Sequence, residues 1–428
     1  MPVESYPQRC AALAYISDMS IRQRLYPDPS TIPMLAKHCQ DARTVWNLGL
    51  EQRNLWQPNR AQKINYISQA HELTEARKAL EWLGEGSSSV QQAALRDLDR
   101  AFQNWWKRPD HFGRPTWRKA GIDEGFCIRD LSVRRINRRW GAVQVPKCGW
   151  VRFRLTRQFS DIEAASSARV TLDRSGRWHT SFTAAQPSFQ REPTGSAVGL
   201  DMGVHTSVAT SNGVHLRMPK LLSPGEAQRK RRLQRKMARQ TKGSNRRNRT
   251  KLSIAKLSAK ESDRRKDWIE KTTTILVRDY DFIAIEDLRV KDMTRSGKGT
   301  RENPGKNVFV RARFNRSIRN QAWAMFRKRL TDKATAATSP VEVIPINPEF
   351  TSLRCPDCGY TADENRKSQA VFVCRSCNHK ANADVNAAIN ILADGQSVAG
   401  RGGTSHARSV KTEHSDPAKR QPLVGDAA

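Results

Sequence analysis

Four cysteines near the carboxyl-terminal end constrain the fold of this chain more than any other feature. Cys355 and Cys358 form one CxxC pair, and Cys374 and Cys377 form a second pair after fifteen intervening residues. Two such pairs can hold one zinc ion in a closed tetrahedron of four thiolates, which makes the ion structural rather than catalytic. We therefore predict one zinc hairpin with four cysteine ligands. Four free cysteines or a redox pair are the alternatives, and His379 is a nearby substitute ligand.

The remaining cysteines are scattered singly along the chain, at Cys10, Cys39, Cys127 and Cys148. This usage is typical of a metal site in a reducing compartment and not of a disulfide framework. No apolar run is long enough to span a membrane, and the first twenty residues lack a basic and then apolar signal pattern. We expect a cytoplasmic protein without a membrane partner, or a nuclear one in a eukaryote.

The charge balance indicates a polyanionic partner. The 428 residues include 75 Lys and Arg against 42 Asp and Glu, a formal net charge of +33. Such a charge draws nucleic acid at long range and makes a small-molecule enzyme a poor interpretation.

One segment concentrates this charge. Residues 228–260 contain fourteen Lys or Arg and no acid, which predicts a helical hairpin that contacts a polyanion; a solvated basic face is the plainer alternative. The candidate nucleic-acid contacts are Arg229, Lys230, Arg231, Arg232, Arg235, Lys236, Arg239, Arg246, Arg247 and Arg249.

The amino-terminal half reads as a β domain interrupted by helices. Alternation over 19–25 predicts a strand, and apolar residues at helical spacing predict helices up to Pro58, over about 62–83, and after Ser87. Short alternating runs return between 112 and 186. We expect Trp46, Trp105 and Trp106 to pack in the helical core rather than to stack on bases.

Three carboxylates stand beside apolar segments. Asp201 ends the strand from Val198, Glu286 ends the buried strand from Phe282, and Asp384 opens the helical run ADVNAAINIL. Each alone could be a cap or a surface acid. Together they would repel one another unless two divalent cations compensated the charge, and such ions could hold the attacking water and the leaving oxygen in phosphodiester cleavage. Oxygen ligands favour Mg²⁺. Asn386 has two interpretations: a residue that assists a metal-bound water, or an amide on the helix surface.

The segments between these motifs are less specific. Residues 291–306 predict a polar loop or lid, a helix follows through Ile318 and Arg329, and a strand begins at Val341. After Leu392 the composition predicts disorder.

These motifs resemble the TnpB (OrfB) family of insertion-sequence-encoded RNA-guided nucleases, which is similar to compact type V CRISPR effectors. GLDMG with Asp201, IAIEDL with Glu286 and ADVNAAINI with Asp384 are similar to its RuvC-I, RuvC-II and RuvC-III motifs. The cysteine segment resembles its zinc ribbon, and the resemblance covers residues 19 to 392. Asn378 departs from the Gly expected after the second knuckle.

The resemblance implies an α/β plus β fold. An RNase H-like RuvC nuclease core (193–350, including the basic hairpin 228–260) carries a zinc-ribbon target-nucleic-acid-binding insertion (351–380) and a RuvC-III helix (381–393). An N-terminal β-barrel wedge domain (1–28 and 112–192) is split by a small helical recognition module (29–111). A disordered tail covers 394–428.

The function implied is Mg²⁺-dependent cleavage of double-stranded DNA beside a short target-adjacent motif. Asp201, Glu286 and Asp384 would bind two Mg²⁺ ions, and a guide RNA from the transposon end or from a CRISPR-like locus would select the target. We then expect a bacterial protein at the nucleoid. An RNA-guided or direct DNA-binding transposon accessory or regulatory protein with little cleavage is the alternative, and a ribosomal-type zinc-ribbon protein would leave FIAIEDL and the split β domain unexplained.

Overall fold

The computed structural model describes residues 18–55, 57, 64–185 and 187–400. Cys10, the helix break at Pro58 and the tail beyond Gly400 lie outside this range. The described residues form two compact units. The first contains those up to Pro193 together with Met218–Asp279 and Ala324–Pro340, and the second contains Thr194–Arg217, Tyr280–Trp323 and those from Val341 onward.

The first unit is built on a seven-stranded sheet in the order β2-β6-β7-β1-β5-β4-β3, with antiparallel neighbours. Its strands are β1 Asp18–Tyr26, β2 Gly125–Ile128, β3 Val133–Asn137, β4 Trp140–Val145, β5 Gly149–Arg154, β6 Ser167–Leu172 and β7 Trp178–Ala185. The first strand lies at the centre of the sheet. After β1 the chain leaves the sheet to form helices, and it returns to the sheet with β2. This arrangement agrees with the split β region that the sequence predicts. In β1, Ile21 and Leu25 are buried while Arg22 and Arg24 are exposed, as alternation requires.

Helices fill the gap between β1 and β2. They are α1 Ile32–Asn54, α2 Tyr66–Ala79, α3 Glu81–Gly84 and α4 Ser88–Lys107, and a further short helix, α5 Ser160–Glu163, precedes β6. Gly49 lets α1 approach α4 closely, because a Cβ there would lie 2.9 Å from Leu95 Cδ2. Trp46 is buried and Trp105 is partly buried, as predicted. The core prediction is wrong for Trp106, which lies at the end of α4 and is 61% exposed.

Two long helices make the basic hairpin. They are α6 Pro224–Ala238 and α7 Asn245–Asp279. A capping box between Ser223 and Glu226 starts α6, and α7 continues nineteen residues beyond the predicted end at Lys260. Acids just outside the basic run join the two helices, since Glu226 pairs with Arg264 at 2.6 Å and Glu261 pairs with Lys230 at 2.6 Å.

The second unit is built on a five-stranded mixed sheet in the order β10-β9-β8-β11-β12. Its strands are β8 Ala197–Asp201, β9 Val208–Thr210, β10 His215–Leu216, β11 Phe282–Glu286 and β12 Glu342–Ile346. Strands β8, β11 and β12 are parallel, whereas β9 and β10 continue the sheet, β9 antiparallel to β8 and β10 antiparallel to β9. Ile283, Ala284 and Ile285 are buried, as the uninterrupted apolar run predicts.

Helix α11, Ala383–Gly400, covers this sheet. The helix lies so close to the sheet that a Cβ on Gly199 would lie 2.0 Å from the Ala388 carbonyl oxygen, and a Cβ on Gly395 would lie 2.5 Å from Ala284. The prediction of disorder from residue 394 is therefore wrong for 394–400. Gly395 reads as a loop residue by composition, but its missing side chain is what lets the helix continue along the sheet.

Three helices follow β11 along the chain, namely α8 Val290–Met293, α9 Val308–Gln321 and α10 Trp323–Thr335. The single helix predicted through Ile318 and Arg329 is interrupted, because Ala322 adopts a left-handed conformation with φ +56°. Within the described residues, no helix combines the length and apolarity needed to cross a bilayer.

Candidate functional site

The four predicted zinc ligands come together in the second unit. The Sγ atoms of Cys355, Cys358, Cys374 and Cys377 all lie within 4.8 Å of one another. Cys355 is 3.6 Å from Cys377 and Cys358 is 3.5 Å from Cys374, which is too far for a disulfide. A tetrahedron with zinc–sulfur bonds of about 2.3 Å has edges of about 3.8 Å, so the four atoms fit such an ion.

Each cysteine pair forms the same turn. The N–H of Gly359 donates to the Cys355 carbonyl at 3.0 Å, and the N–H of Asn378 donates to the Cys374 carbonyl at 3.1 Å. Gly359 has φ +75° and Asn378 has φ +62°. Asparagine is among the few residues that tolerate this left-handed conformation, which explains why it can replace the expected glycine.

The two turns are held together by buried groups. Asn365 is fully buried, donates to the Tyr360 carbonyl beside the first pair, and accepts from the Arg375 N–H in the second. Phe372, in the hairpin of β13 Val371–Val373 and β14 Lys380–Asn382, packs with the two buried cysteines. Although burial alone would raise it, the backbone N–H groups of Cys377 and Ser376 lower the pKa of the Cys374 thiol. Burial raises the pKa of Cys355, and burial and the neighbouring thiols raise that of Cys377, so the lowering is specific to Cys374.

His379 lies beside this cluster but makes a different contact. Its Nδ1 is 2.6 Å from a carboxylate oxygen of Asp357, a residue inside the first cysteine pair. This pairing ties the two turns to each other, and the four cysteines make a complete set without the imidazole.

The three predicted carboxylates also belong to the second unit. Asp201 is the last residue of β8 and Glu286 the last of β11, and these strands are adjacent and parallel, with Leu200 opposite Ile285. Asp384 lies in the first turn of α11, where the Asn382 side chain accepts from its N–H at 3.0 Å and caps the helix. The carboxyl ends of two parallel strands and the amino end of a helix therefore present acids to one region.

The electrostatics show that these acids interact. Burial, followed by the charges of Glu286 and Asp384, raises the pKa of Asp201 well above the usual range, and the Arg366 guanidinium opposes that shift. Burial also raises the pKa of Glu286, which is only 8% exposed. Among the described residues the four cysteines alone bring three or more possible ligand atoms within 4.8 Å, so the carboxylate oxygens are more widely spaced. Buried acids whose charges interact in this way are stabilised by cations or by protons.

Comparison with known proteins decides the family. The chain is 35% identical over 360 residues to InsQ of Escherichia coli (strain K12), which is provisionally named an RNA-guided DNA endonuclease; the match covers 83% of this chain and 87% of InsQ. The chain belongs to the TnpB (OrfB) family. A Streptomyces pristinaespiralis protein with the same provisional name is 29% identical over 94% of this chain and 96% of its own length.

Two family models match separate parts of this TnpB-family chain. The OrfB_IS605 model, described as "Probable transposase", matches residues 181–297, and the Cas12f1-like TNB domain model matches residues 323–391. The first range contains Asp201 and Glu286, and the second contains the cysteines and Asp384. Among solved structures, a Cas12f1–sgRNA–target DNA complex gives a TM-score of 0.49 at 15% identity, covering 85% of this chain and 82% of the other.

Thr351 is a residue beside Glu286 that sequence reasoning missed. It is 1% exposed, its hydroxyl donates to the Pro348 carbonyl at 3.0 Å, and its interaction with the Glu286 carboxylate lowers the pKa of that acid against the effect of burial. The N–H of Met202 donates to the same carboxylate at 3.4 Å. A usable signal exists, because Thr351 follows β12, whose carboxyl end lies beside that of β11.

Arg366 is the second missed residue. Its Nη2 lies 3.7 Å from Asp384 Oδ1, although the arginine comes from the segment between the two cysteine pairs. The cysteine cluster thereby places a cation against the acids. No spacing rule links Arg366 to Asp384, so the sequence alone offers no signal for this contact.

Asn386 lies inside the fold, so the surface-amide alternative is wrong. It is 0% exposed, and it and Asn390 donate to the Arg354 carbonyl at 3.0 and 2.7 Å. Arg354 precedes Cys355 and also pairs with Asp394 at 2.7 Å. These contacts attach the first cysteine pair to the helix that carries Asp384.

The ten basic residues proposed for nucleic acid all lie on or beside the α6–α7 hairpin, but they are not equivalent. Lys230 pairs with Glu261, and Arg247 donates to the carbonyls of Met237 and Gln240, so both support the hairpin itself. The other eight are exposed: Arg229, Arg231, Arg232, Arg235, Lys236, Arg239, Arg246 and Arg249.

Proposed function

We propose that this chain is a transposon-associated, RNA-guided DNA endonuclease that cuts with a divalent-metal site formed by Asp201, Glu286 and Asp384. Membership of the TnpB family supports guided DNA cleavage. The observation that carries the metal site is the placement of Asp201 and Glu286 at the carboxyl ends of adjacent parallel strands, with Glu286 only 8% exposed and Asp384 in the first turn of α11. Three acids brought together in a chain of formal charge +33 indicate a site that binds cations.

The donor set fits Mg²⁺. All three side chains offer carboxylate oxygens, the ligands that Mg²⁺ prefers, and they belong to a site that also meets solvent, since the Asp384 side chain is 19% exposed. With two such ions bound, a site of this kind supplies an activated water and a stabilised leaving oxygen for in-line cleavage.

The chain's own residues position these acids. The Met202 N–H and the Thr351 hydroxyl hold the Glu286 carboxylate, and the cap at Asn382 fixes the first turn of α11 and hence Asp384. Arg366 lies at the same region with a guanidinium that can bind a phosphate oxygen of the DNA. On this proposal the mixed sheet and α11 form the RNase H-like RuvC core.

We further propose that the cysteine cluster binds one structural Zn²⁺ and acts as the zinc ribbon of a target-binding insertion. The Sγ spacing and the paired turns support zinc. Arg354 and Arg366 connect this ribbon to α11 and to Asp384, so the zinc would stabilise the neighbourhood of the acids.

The partners proposed are a guide RNA, from the transposon end or a CRISPR-like locus, and double-stranded target DNA beside a short target-adjacent motif. The eight exposed basic residues of the α6–α7 hairpin support binding to nucleic-acid phosphates. Such binding depends on charge and not on the base sequence. Base pairing by the guide would then carry the specificity. The β sheet of the first unit is assigned as the wedge domain and helices α1–α4 as the recognition module, and the protein would act at the bacterial nucleoid.

The test is to express the chain with its native flanking DNA, purify it and sequence the RNA that co-purifies. One dominant structured RNA with a variable end is expected, and the loaded protein should cut a duplex that matches this end in Mg²⁺ but not in EDTA. Heterogeneous RNA without matched cutting would overturn the proposal and favour a DNA-binding accessory protein.

A further inference from the structure

Helix α9 presents an unusual surface in the second unit. Phe309 is 81% exposed, Val310 is 64% exposed and Phe314 is 56% exposed. Spacings of four residues place Phe309 beside Arg313 and Val310 beside Phe314, while the two rings lie about 140° apart around the helix with Arg313 and Val310 between them. We call Phe309, Val310, Arg313 and Phe314 the aromatic face. Two phenylalanines left in water on one helix indicate a contact that the isolated chain does not satisfy.

The opposite face of α9 is firmly attached. The buried Asn315 donates to the carbonyls of Thr294 and Arg295 at 3.1 and 2.9 Å, and Ile318, one turn after Phe314, is 1% exposed, so the aromatic face ends where the helix enters the core. Arg319 also donates to the Thr294 carbonyl at 3.0 Å. These bonds fix the rotation of the helix, so the outward direction of the aromatic face is part of the fold.

The end of α9 is joined to the carboxylate site. Gln321 donates from Nε2 to the Val204 carbonyl at 2.8 Å, and Val204 is three residues after Asp201. At a rise of 1.5 Å per residue, Phe314 lies about 10 Å and Phe309 about 18 Å along the helix from Gln321. The aromatic face therefore leads along the helix axis towards the acids.

The charge around this face selects the partner. Residues 303–323, which belong to the second unit, contain five Lys or Arg and no acid, and four of them, Arg311, Arg313, Arg316 and Arg319, lie on α9 itself. A second copy of this chain, with a formal charge of +33, would be repelled. Aromatic rings interleaved with arginines are the arrangement that binds single-stranded nucleic acid, because every base has a face that can stack.

We infer that the aromatic face of α9 is a stacking platform for unpaired bases of the DNA strand that enters the carboxylate site. The inference rests on the proposed nuclease function and adds the residues that receive the strand. Phe309 and Phe314 contact bases and Arg313 contacts phosphate. The platform needs no particular sequence, in keeping with a protein whose specificity comes from a guide.

The experiment uses the full-length chain loaded with its RNA, in EDTA, and a short single-stranded DNA that is not complementary to the guide and contains 2-aminopurine. Fluorescence anisotropy measures binding, and quenching of 2-aminopurine reports stacking. The double variant Phe309→Leu/Phe314→Leu keeps an apolar helix face but lacks aromatic rings. Phe309→Tyr/Phe314→Tyr keeps the rings, and Val398→Ala changes another exposed apolar side chain of the same unit.

The leucine variant should bind the single strand at least about fivefold more weakly and lose the quenching, because one stacked base contributes at least that factor. The tyrosine variant and Val398→Ala should match the wild type. Equal quenching by the leucine variant and the wild type would overturn the platform. Loss of co-purified RNA in the leucine variant, or a change in its oligomeric state, would also overturn it by assigning the face to RNA or to protein.

The two proposals can fail separately. If the wild type cuts a guide-matched duplex while the leucine variant stacks DNA normally, only the platform is wrong. If the wild type quenches 2-aminopurine through the aromatic face but never cuts matched DNA, the nuclease proposal fails and the strand would serve another purpose.

Discussion

The cysteine cluster and the carboxylate cluster are both candidate metal sites, and they are prepared to different degrees. The four thiols lie within 4.8 Å of one another and fit a tetrahedral ion without rearrangement. The three acids are more widely spaced, and the pKa of Asp201 is raised by burial and by its neighbours. Thiols are neutral when protonated and can gather before a metal arrives, whereas ionised carboxylates repel one another. The ribbon is therefore formed by local turns, whereas the acidic site is formed by elements from the whole second unit.

Loss of one acid should have the largest effect. Glu286→Gln should reduce guided cleavage at least about 100-fold, because a metal site contributes several kcal/mol to the transition state. Bound RNA should stay near the wild-type amount, since Glu286 is buried in the fold and is not part of the basic hairpin. Gel-based cleavage rates and the ratio of RNA to protein measure both quantities.

The matched control is Glu342→Gln, which removes an exposed carboxylate from the start of the neighbouring strand β12, opposite Phe282. It should cut at close to the wild-type rate. Equal damage by both substitutions would show that general charge, and not the buried acid, matters.

Loss of one thiolate is the next largest effect. Cys358→Ser should lower zinc affinity at least about tenfold, since even partners outside the ligand set contribute tenfold or more. Bound zinc measured by atomic emission checks this, with Cys148→Ser in the other unit as the control. Cleavage should also fall, because the ribbon carries Arg366 to Asp384. Full zinc content in Cys358→Ser would remove the ribbon from the account.

Removal of the Thr351 hydroxyl should weaken metal binding at the acidic site. Thr351→Val should raise the Mg²⁺ concentration for half-maximal cleavage about tenfold by freeing the Glu286 carboxylate, whereas Thr351→Ser should restore the wild-type value. Metal titrations of the cleavage rate measure the shift. A loss in Thr351→Val that no Mg²⁺ concentration repairs would indicate misfolding instead of a positioning role.

The acidic cluster should also make stability depend on pH. The pKa of Asp201 is raised in the folded state, so folding favours the protonated form, and this contribution is lost as pH rises above the ordinary range of a carboxyl. In EDTA, the wild type should therefore lose melting temperature relative to Asp201→Asn as pH increases from about 4 to neutral. Added Mg²⁺ should reduce the gap. A constant difference between the two proteins across this range would contradict the crowding.

The smallest effects concern the second cysteine turn. Asn378→Gly should be nearly neutral, whereas Asn378→Ala should cost about 1 kcal/mol, because alanine resists the left-handed conformation at φ +62°. Thermal melting of the zinc-loaded protein compares the two. A more stable alanine variant would refute the turn geometry.

The parts predicted well from sequence are those with local signals. The cysteine spacing predicted the thiol cluster, and the apolar runs predicted the strands that end in Asp201 and Glu286, but not that these strands are adjacent and parallel. The points at which helices are interrupted or continue were harder to predict. Ala322 interrupts a helix with a residue that normally favours helix, and Gly395 continues one because the Ala284 side chain lies directly against it. Such outcomes depend on tertiary packing that a single sequence does not display.

The same limit applied to the site. Asp201, Glu286 and Asp384 each stand at the end of a recognisable element, but Arg366 reaches Asp384 only because the ribbon folds back. Among the basic residues, Lys230 and Arg247 look like their neighbours in sequence, and only their partners in the hairpin set them apart.

The most direct test of the account exchanges the guide. Two versions of the co-purifying RNA, differing only in the variable end, are each loaded onto the protein and offered two DNA duplexes that match one version each. We expect the wild type to cut the matched duplex alone, in Mg²⁺ and not in EDTA. The Glu286→Gln variant should cut neither duplex. Cutting that ignores the guide, or that persists without divalent ions, would contradict it.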